Sequence, residues 1–311
     1  MLKAWRTVEN KLHETEDLNH KGAWVSLVKP TETEIQRVNR ETGVMLDFLK
    51  APLDDEERPR IEVEEGTILI IINIPTIESE RGRTRYDTIP FGMIVTANNL
   101  ITVCLEDNIL LEDFVNGRIK TWYTFKKTRF IFQILYRTAA LYLKYLKEID
   151  KKTNDIEREL HRSMRNEQLI KLLDLEKSLV YFNTSLKANE IVMEKLLKSP
   201  FLKMYPEDQD LLEDVITENK QAIDMAEIYS SILSGMMDAF ASIISNNLNM
   251  VMKFLASVTI ILALPTMVAS FFGMNVVLPM QDNPFAFIFT VGLSLTLSGA
   301  AIIYLVKKNM F

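Results

Sequence analysis

Between residues 238 and 273 the chain sets small or polar side chains at alternating steps of four and three: Asp238, Ser242, Ser245, Asn249, Met252, Ala256, Thr259, Ala263, Thr266, Ser270 and Gly273. Their neighbours Ile243, Ile244, Val251, Phe254, Leu255, Ile260, Ile261 and Leu262 are bulky and apolar. A mean repeat of about 3.5 residues is the period at which helices wind round one another. One face of a long helix therefore avoids lipid. The chemistry it offers is solvation by hydroxyl and amide oxygens and one carboxylate, not bond making. Close packing through small residues is the alternative for the alanines, serines and glycine. Asn249, Thr259 and Thr266 need hydrogen-bond partners, and a water-filled axis would supply them. Two helices cannot enclose a pore, so such an axis requires several copies of the chain.

Other groups carry less. His13, His20 and His161 are scattered, without metal-ligand spacing or a nucleophile beside them, and are expected to be structural or surface histidines. The one cysteine, Cys104, lies in an apolar run, which excludes an intramolecular disulfide framework and a cysteine-rich zinc module and predicts a buried, inert thiol. No glycine-rich phosphate loop is present, so nucleotide-driven transport has no support. A net charge of −6 and a pI near 5.4 argue against a nucleic-acid partner. Charge is nonetheless segregated. Residues 118–165 hold 13 Lys and Arg against 5 Asp and Glu, whereas 207–238 hold nine acids against Lys220 alone. The first run is expected to be a solvated helix face that answers the acidic belt.

The elements that position the stripe follow from hydropathy. From 254 to 306 the only charged side chain is Asp282, so this stretch cannot be a water-facing surface. It divides at the polar loop 277–284 into apolar runs 254–272 and 285–306, each near the roughly 20 residues a membrane-spanning helix needs. A buried hairpin in a soluble core is the alternative. Lys253 precedes the first run and Lys307 with Lys308 follows the second, which puts both basic flanks on the cytoplasmic side and Asp282 outside. Residues 1–10 are mixed and charged, with no apolar core of a secretory signal, so the N-terminus is expected in the cytosol.

The chain's 311 residues leave room for about two domains, or one domain plus an appendage. Short β-branched runs at 24–28, 67–74, 92–97 and 100–105, a turn at Asn98-Asn99 and a helix capped by Thr31 and Glu34 predict a small mixed α/β domain. Glycine is absent from 121–199, and apolar residues recur at three and four (Leu169, Leu172, Leu173, Leu179, Phe182, Leu186), which predicts long paired helices broken near Ser199-Pro200. A last helix starts at Pro206 with Glu207 and Asp208 in its first turn. With no proline before Pro265, it spans on the order of 85 Å at about 1.5 Å per residue, and Gly235 alone does not end it.

At the end of that helix stands Gly273-Met274-Asn275. With this tripeptide closing the penultimate apolar run, the chain resembles the CorA family of magnesium channels, whose signature is Gly-Met-Asn at that place. The resemblance covers essentially the whole chain and is closest over 246–275, including Met252-Lys253 and Pro265-Thr266; Arg58-Pro59-Arg60 followed by Ile61 and Val63 also looks like the family. It implies an α+β membrane protein: a cytosolic α/β domain over 1–118, paired cytosolic helices over 119–205, a stalk and pore helix over 206–273, an outer loop over 274–284, a second span over 285–306 and a basic cytosolic tail over 307–311. It implies further a homopentameric funnel in the cell membrane, with no organic cofactor, and other copies of the chain and the lipid bilayer as partners. The transported ion is then Mg²⁺, with Co²⁺ or Ni²⁺ admitted as size and hydration permit.

By matched position the resemblance makes Gly273, Met274 and Asn275 the selectivity filter. It places Asn249 and Met252 in the inner pore, a constriction at Leu255 and a carboxylate ring at Asp238. A regulatory Mg²⁺ site pairs an aspartate on the pore helix, here Asp214, with an acid ahead of the Arg-Pro motif. There this chain departs: Lys50 and Ala51 stand at the matching positions, leaving Asp54 or Asp55 as substitutes. The outer loop also lacks a glutamate and offers only Asp282. A zinc-transporting member of the fold, or a non-conducting membrane-anchored adaptor, are the competing functions; the adaptor leaves the stripe and Gly-Met-Asn without a role.

Overall fold

A computed structural model of the chain describes residues 1–80, 83–119, 121–162, 166–198, 200–275, 284–308 and 310. The loop around Asp282 and Ser199 lie outside the described residues. The chain forms two compact units, Met1–Ser234 and Gly235–Phe311.

In the first unit, β1 (Leu2–Val8), β2 (Lys11–Glu14), β3 (Trp24–Val28), β4 (Arg60–Glu64), β5 (Thr67–Glu80), β6 (Arg83–Val95) and β7 (Leu100–Cys104) build one sheet in the order β2-β1-β3-β7-β6-β5-β4. Among the described residues only β3 and β7 run parallel. The four runs expected to be strands are strands. β5 is longer than its apolar run because Pro75 does not end it: the pairing with β4 stops at Ile71, so the missing N–H of Pro75 faces no neighbour on that side. The strands β1, β2 and β4 escaped the sequence pattern because they are charged and lie at or next to the sheet edges, where alternation is blurred by exposure.

Ile68 to Ile72 are all buried, since β5 is covered on both faces. Leu69 and Ile71 join Val25, Leu27, Ile101 and Val103 in a core with Ile35 and Val38 of α1 (Glu32–Thr42) and Phe48 and Leu49 of α2 (Leu46–Lys50). The opposite face meets α4 (Lys127–Arg162) and α5 (Asn166–Lys198). There α5 substitutes for a strand: Asn73 N–H donates to Asn189 Oδ1 at 2.8 Å, and Asn189 Nδ2 donates back to Asn73 O at 2.7 Å. This satisfies the β5 edge beyond the end of β4. Leu172, Leu179, Phe182 and Leu186 are buried as the helical spacing predicts, whereas Leu173 is exposed.

Local chemistry sets the helix starts. Thr31 and Glu34 close a reciprocal capping box on α1, and Gly43 ends that helix at φ 74°. A single 3₁₀ turn, Ala51–Leu53, lays Pro52 against β6, where a Cβ on Gly92 would come within 2.2 Å of Pro52 Cγ; only glycine fits. On α3 (Ile109–Val115), Asp113 is buried and accepts from Arg118 and Arg137. Burial raises its pKa, but the two guanidinium groups outweigh that and hold it below the usual carboxylate value.

α6 (Pro206–Phe272) is one helix of 67 residues, unbroken at Gly235 and Pro265. Pro206 occupies its first position, and Asp208 accepts the Tyr205 N–H at 3.2 Å. α7 (Ala286–Lys307) follows.

Candidate ion pathway

In the second unit α6 and α7 are long and apolar enough to cross a membrane. Phe254, Leu262, Phe271, Phe287, Ile288, Leu295 and Ile303 stand exposed on a single chain, a surface that water does not tolerate at this extent. Within the apolar run of α6 the shielded positions are Ser257, Val258, Ile261, Leu264, Pro265, Val268 and Phe272, all on one side of the helix. The Ser257 hydroxyl donates to the Met310 carbonyl just beyond α7 at 3.2 Å. On α7 the shielded positions are small, Ala286, Thr290, Ser294, Ser298 and Ala301, ending at Leu305. Small residues let two apolar helices approach closely.

Every stripe residue, Asp238, Ser242, Ser245, Asn249, Met252, Ala256, Thr259, Ala263, Thr266, Ser270 and Gly273, is exposed. At about 100° per residue the stripe and the shielded side lie roughly 170° apart round the helix. The stripe thus faces away from the seam that the hairpin covers.

Its hydroxyls are not short of partners. Ser242 donates to Asp238 O (3.0 Å), Thr259 to Leu255 O (2.8 Å), Thr266 to Leu262 O (3.0 Å) and Ser270 to Thr266 O (2.8 Å). The helix itself meets the donor need that the sequence assigned to water for Thr259 and Thr266. What remains outward is acceptor capacity, because each hydroxyl proton is spent on its own helix while the oxygen lone pairs stay free. The Thr266 bond also lies beside Pro265, whose absent N–H interrupts the ladder.

Among the described residues the end of α6 is closed by backbone: Gly273 N–H donates to Ala269 O at 2.9 Å and Met274 N–H to Phe271 O at 3.3 Å. Asn275 is exposed just beyond, and Leu255 flanks the stripe, also exposed. Gly273, Met274 and Asn275 therefore sit at the terminus of the stripe-bearing helix.

The remaining candidates belong to the first unit. Asp54, Asp55 and Asp214 are exposed, and among the described residues no group of three or more His, Cys, Asp or Glu is placed to hold a metal within one chain. Lys50 pairs with Glu32 at 2.9 Å, and Asp54 Oδ1 accepts the Glu56 N–H at 3.1 Å. The acidic belt is partly neutralised, though less by residues 118–165 than expected. Arg129 reaches Asp208 (3.5 Å), but Arg118 and Arg137 turn to Asp113, and Glu227 is met by Lys187 of α5 (2.6 Å). Cys104 is buried, its thiol pushed up by burial to about 11. His20 shares its ring nitrogens with Arg6 and the Lys21 carbonyl.

A mixed α/β unit leading through one long helix into a two-span hairpin, with an acceptor-lined face ending in Gly-Met-Asn, defines a membrane transporter of ions, not an enzyme. Residues 19–308 match the family model described as CorA-like Mg²⁺ transporter protein, and the chain belongs to that family. It is 31% identical over 291 residues to the cobalt/magnesium transport protein CorA of Methanocaldococcus jannaschii, covering 90% of this chain and 88% of that one. Among solved structures, the complete CorA magnesium transporter of M. jannaschii superposes with a TM-score of 0.83 at 25% identity, over 98% of this chain and 96% of that one. The ZntB cytoplasmic domain from Vibrio parahaemolyticus superposes at 0.61 with 12% identity, over 78% of this chain and 98% of that one, a likeness of fold alone.

Proposed function

We propose that this chain is a Mg²⁺ channel that works as a homopentamer, with five copies of α6 round the pore and Asn275 at its outer mouth. The observation that carries this is the exposed stripe, which turns away from the hairpin seam and presents hydroxyl oxygens whose protons are already bonded inward. Mg²⁺ gives up its inner waters reluctantly, so a pathway that accepts hydrogen bonds from those waters lets the hydrated ion pass. Neutral oxygens at Asn275 hold such an ion weakly enough to release it. Asp238 supplies a carboxylate ring, Asn249 and Met252 the inner wall, and Leu255 a constriction beside the stripe.

Lys253, Lys307 and Lys308 orient both termini to the cytoplasm. An inward-negative potential contributes about 4.6 kcal/mol per 100 mV to a divalent ion, about 2.3 kcal/mol for each charge, so influx needs no other energy source. Co²⁺ and Ni²⁺ pass where their hydration resembles that of Mg²⁺. Cytosolic Mg²⁺ bridging Asp214 to Asp54 or Asp55 of a neighbouring copy favours the closed state.

Purified protein in liposomes loaded with a Mg²⁺-sensitive dye tests the proposal. A potential-driven rise in internal Mg²⁺ is expected, with Co²⁺ and Ni²⁺ competing. Uptake of Zn²⁺ without Mg²⁺ would favour the zinc-transporting alternative, and no uptake of either would favour an adaptor.

A further inference from the structure

A cavity of about 650 Å³ opens in the first unit where α4 and α6 begin. Four cations line it: Lys126, Lys127, Arg129 and Lys203. One is already matched, because Arg129 lies 3.5 Å from Asp208, which also accepts the Tyr205 N–H. The other three are not. Lys127 Nζ donates only to the carbonyls of Thr96 (2.5 Å) and Ala97 (3.0 Å), and its pKa is lowered, first by burial and then by the charge of Lys21. Lys126 and Lys203 lie over the rings of Tyr123 and Tyr205 at 5.3 and 5.8 Å, and among the described residues neither meets a carboxylate. Glu207 is the one acid left to face three ammonium groups.

This arrangement runs against the electrostatics of the fold. Helices α1, α5 and α6 carry acids in their first turns, while α4 has none there and starts among lysines. Cations at that end of a helix repel its dipole. The walls are nevertheless held in place: the Thr128 hydroxyl donates to Lys203 O at 3.0 Å, tying α4 to the segment before α6. Two aromatic side chains stand at the cavity with more than half of their surface open, Phe125 at 53% and Tyr205 at 60%, and Phe125 is stacked on Tyr123 with ring centroids 5.3 Å apart. Ammonium groups without counter-ions next to open aromatic faces match a ligand that joins a phosphate chain to a planar base.

We propose that this cavity binds a nucleoside triphosphate, with its phosphates on Lys126, Lys127 and Lys203 and its base against Tyr205. It is a binding site only, since nothing in the cavity supplies hydrolytic chemistry. Isothermal titration of the full-length protein in detergent, at low salt with chelator present, tests it with ATP, inorganic triphosphate and adenosine as probes. ATP should bind more tightly than triphosphate, and adenosine should not bind. Replacing both Lys126→Gln and Lys203→Gln should weaken ATP at least about tenfold. Tyr205→Ala should weaken ATP and leave triphosphate unchanged. Glu207→Gln should tighten ATP, a gain that misfolding does not produce. Absence of ATP binding at millimolar concentration, ATP affinity untouched in the double lysine variant, or equal binding of ATP and triphosphate would each overturn the proposal.

Discussion

Replacing Asn275 by alanine separates an ion filter from a helix cap. As a C-terminal cap, the amide would hold the end of α6, and its loss would cost on the order of 1 kcal/mol. The structure assigns that task to the Gly273 and Met274 N–H groups, bonded to Ala269 and Phe271, while Asn275 is exposed and makes no hydrogen bond to another described residue. Stability should therefore change by less than about 0.5 kcal/mol, the usual range for an exposed site, and Tm by no more than about 2 °C. Flux should respond differently. A hydrogen bond from the water shell of a divalent ion to a carbonyl is worth about 1.5 kcal/mol, the lower end for bonds to charged groups. In the proposed pentamer, loss of only two such contacts from the ring of five would raise the barrier by about 3 kcal/mol and slow passage on the order of 100-fold. Mg²⁺ uptake into dye-loaded liposomes, read beside thermal unfolding and a sizing column, gives both numbers. Normal uptake by Asn275→Ala sinks the filter assignment. Uptake lost together with a fall of several degrees in Tm, or with the oligomer, would show that the amide holds structure instead.

A reporter fused after residue 308 should be found on the cytoplasmic side together with one at residue 1, and external exposure of either would reverse the proposed orientation. Uptake by the wild type should fall as internal Mg²⁺ rises, and Asp214→Ala should shift that curve to higher Mg²⁺ by about fivefold, the scale of a coupling of about 1 kcal/mol; superimposable curves would end the feedback proposal. Asp113→Asn should lower stability at pH 7 by about 1.5 kcal/mol, because it weakens two charge-assisted hydrogen bonds while Arg118 and Arg137, both partly exposed, keep their water. The folded-state pKa of Asp113 is depressed, so the stabilisation it gives is full above the unfolded value near 3.8 and is lost as pH falls through the lower folded value. The gap between wild type and variant should narrow below about pH 4, and denaturant titrations at pH 7 and pH 3 measure it.

Hydropathy and spacing in one chain sufficed for the two apolar helices, for the uninterrupted run of α6 and for the stripe, since each rests on a period repeated over many residues. The capping box at Thr31 and Glu34 and the strand at 24–28 were equally local. The folded structure decided what the stripe hydroxyls are bonded to, although those bonds are local to the helix. Thr259 and Thr266 look in sequence like donors in need of water, and only the helical backbone four residues earlier turns them into acceptors facing outward. It also decided the pairing of charge. A run of 13 basic residues and a run of nine acids suggest mutual neutralisation, yet Arg118 and Arg137 are drawn to Asp113, because a buried carboxylate must be paired whereas an exposed belt is solvated. Likewise Asn73 and Asn189, 116 residues apart, carry no sequence signal. They meet because β4 ends before β5 does and an unpaired sheet edge has to be closed by whatever packs on it.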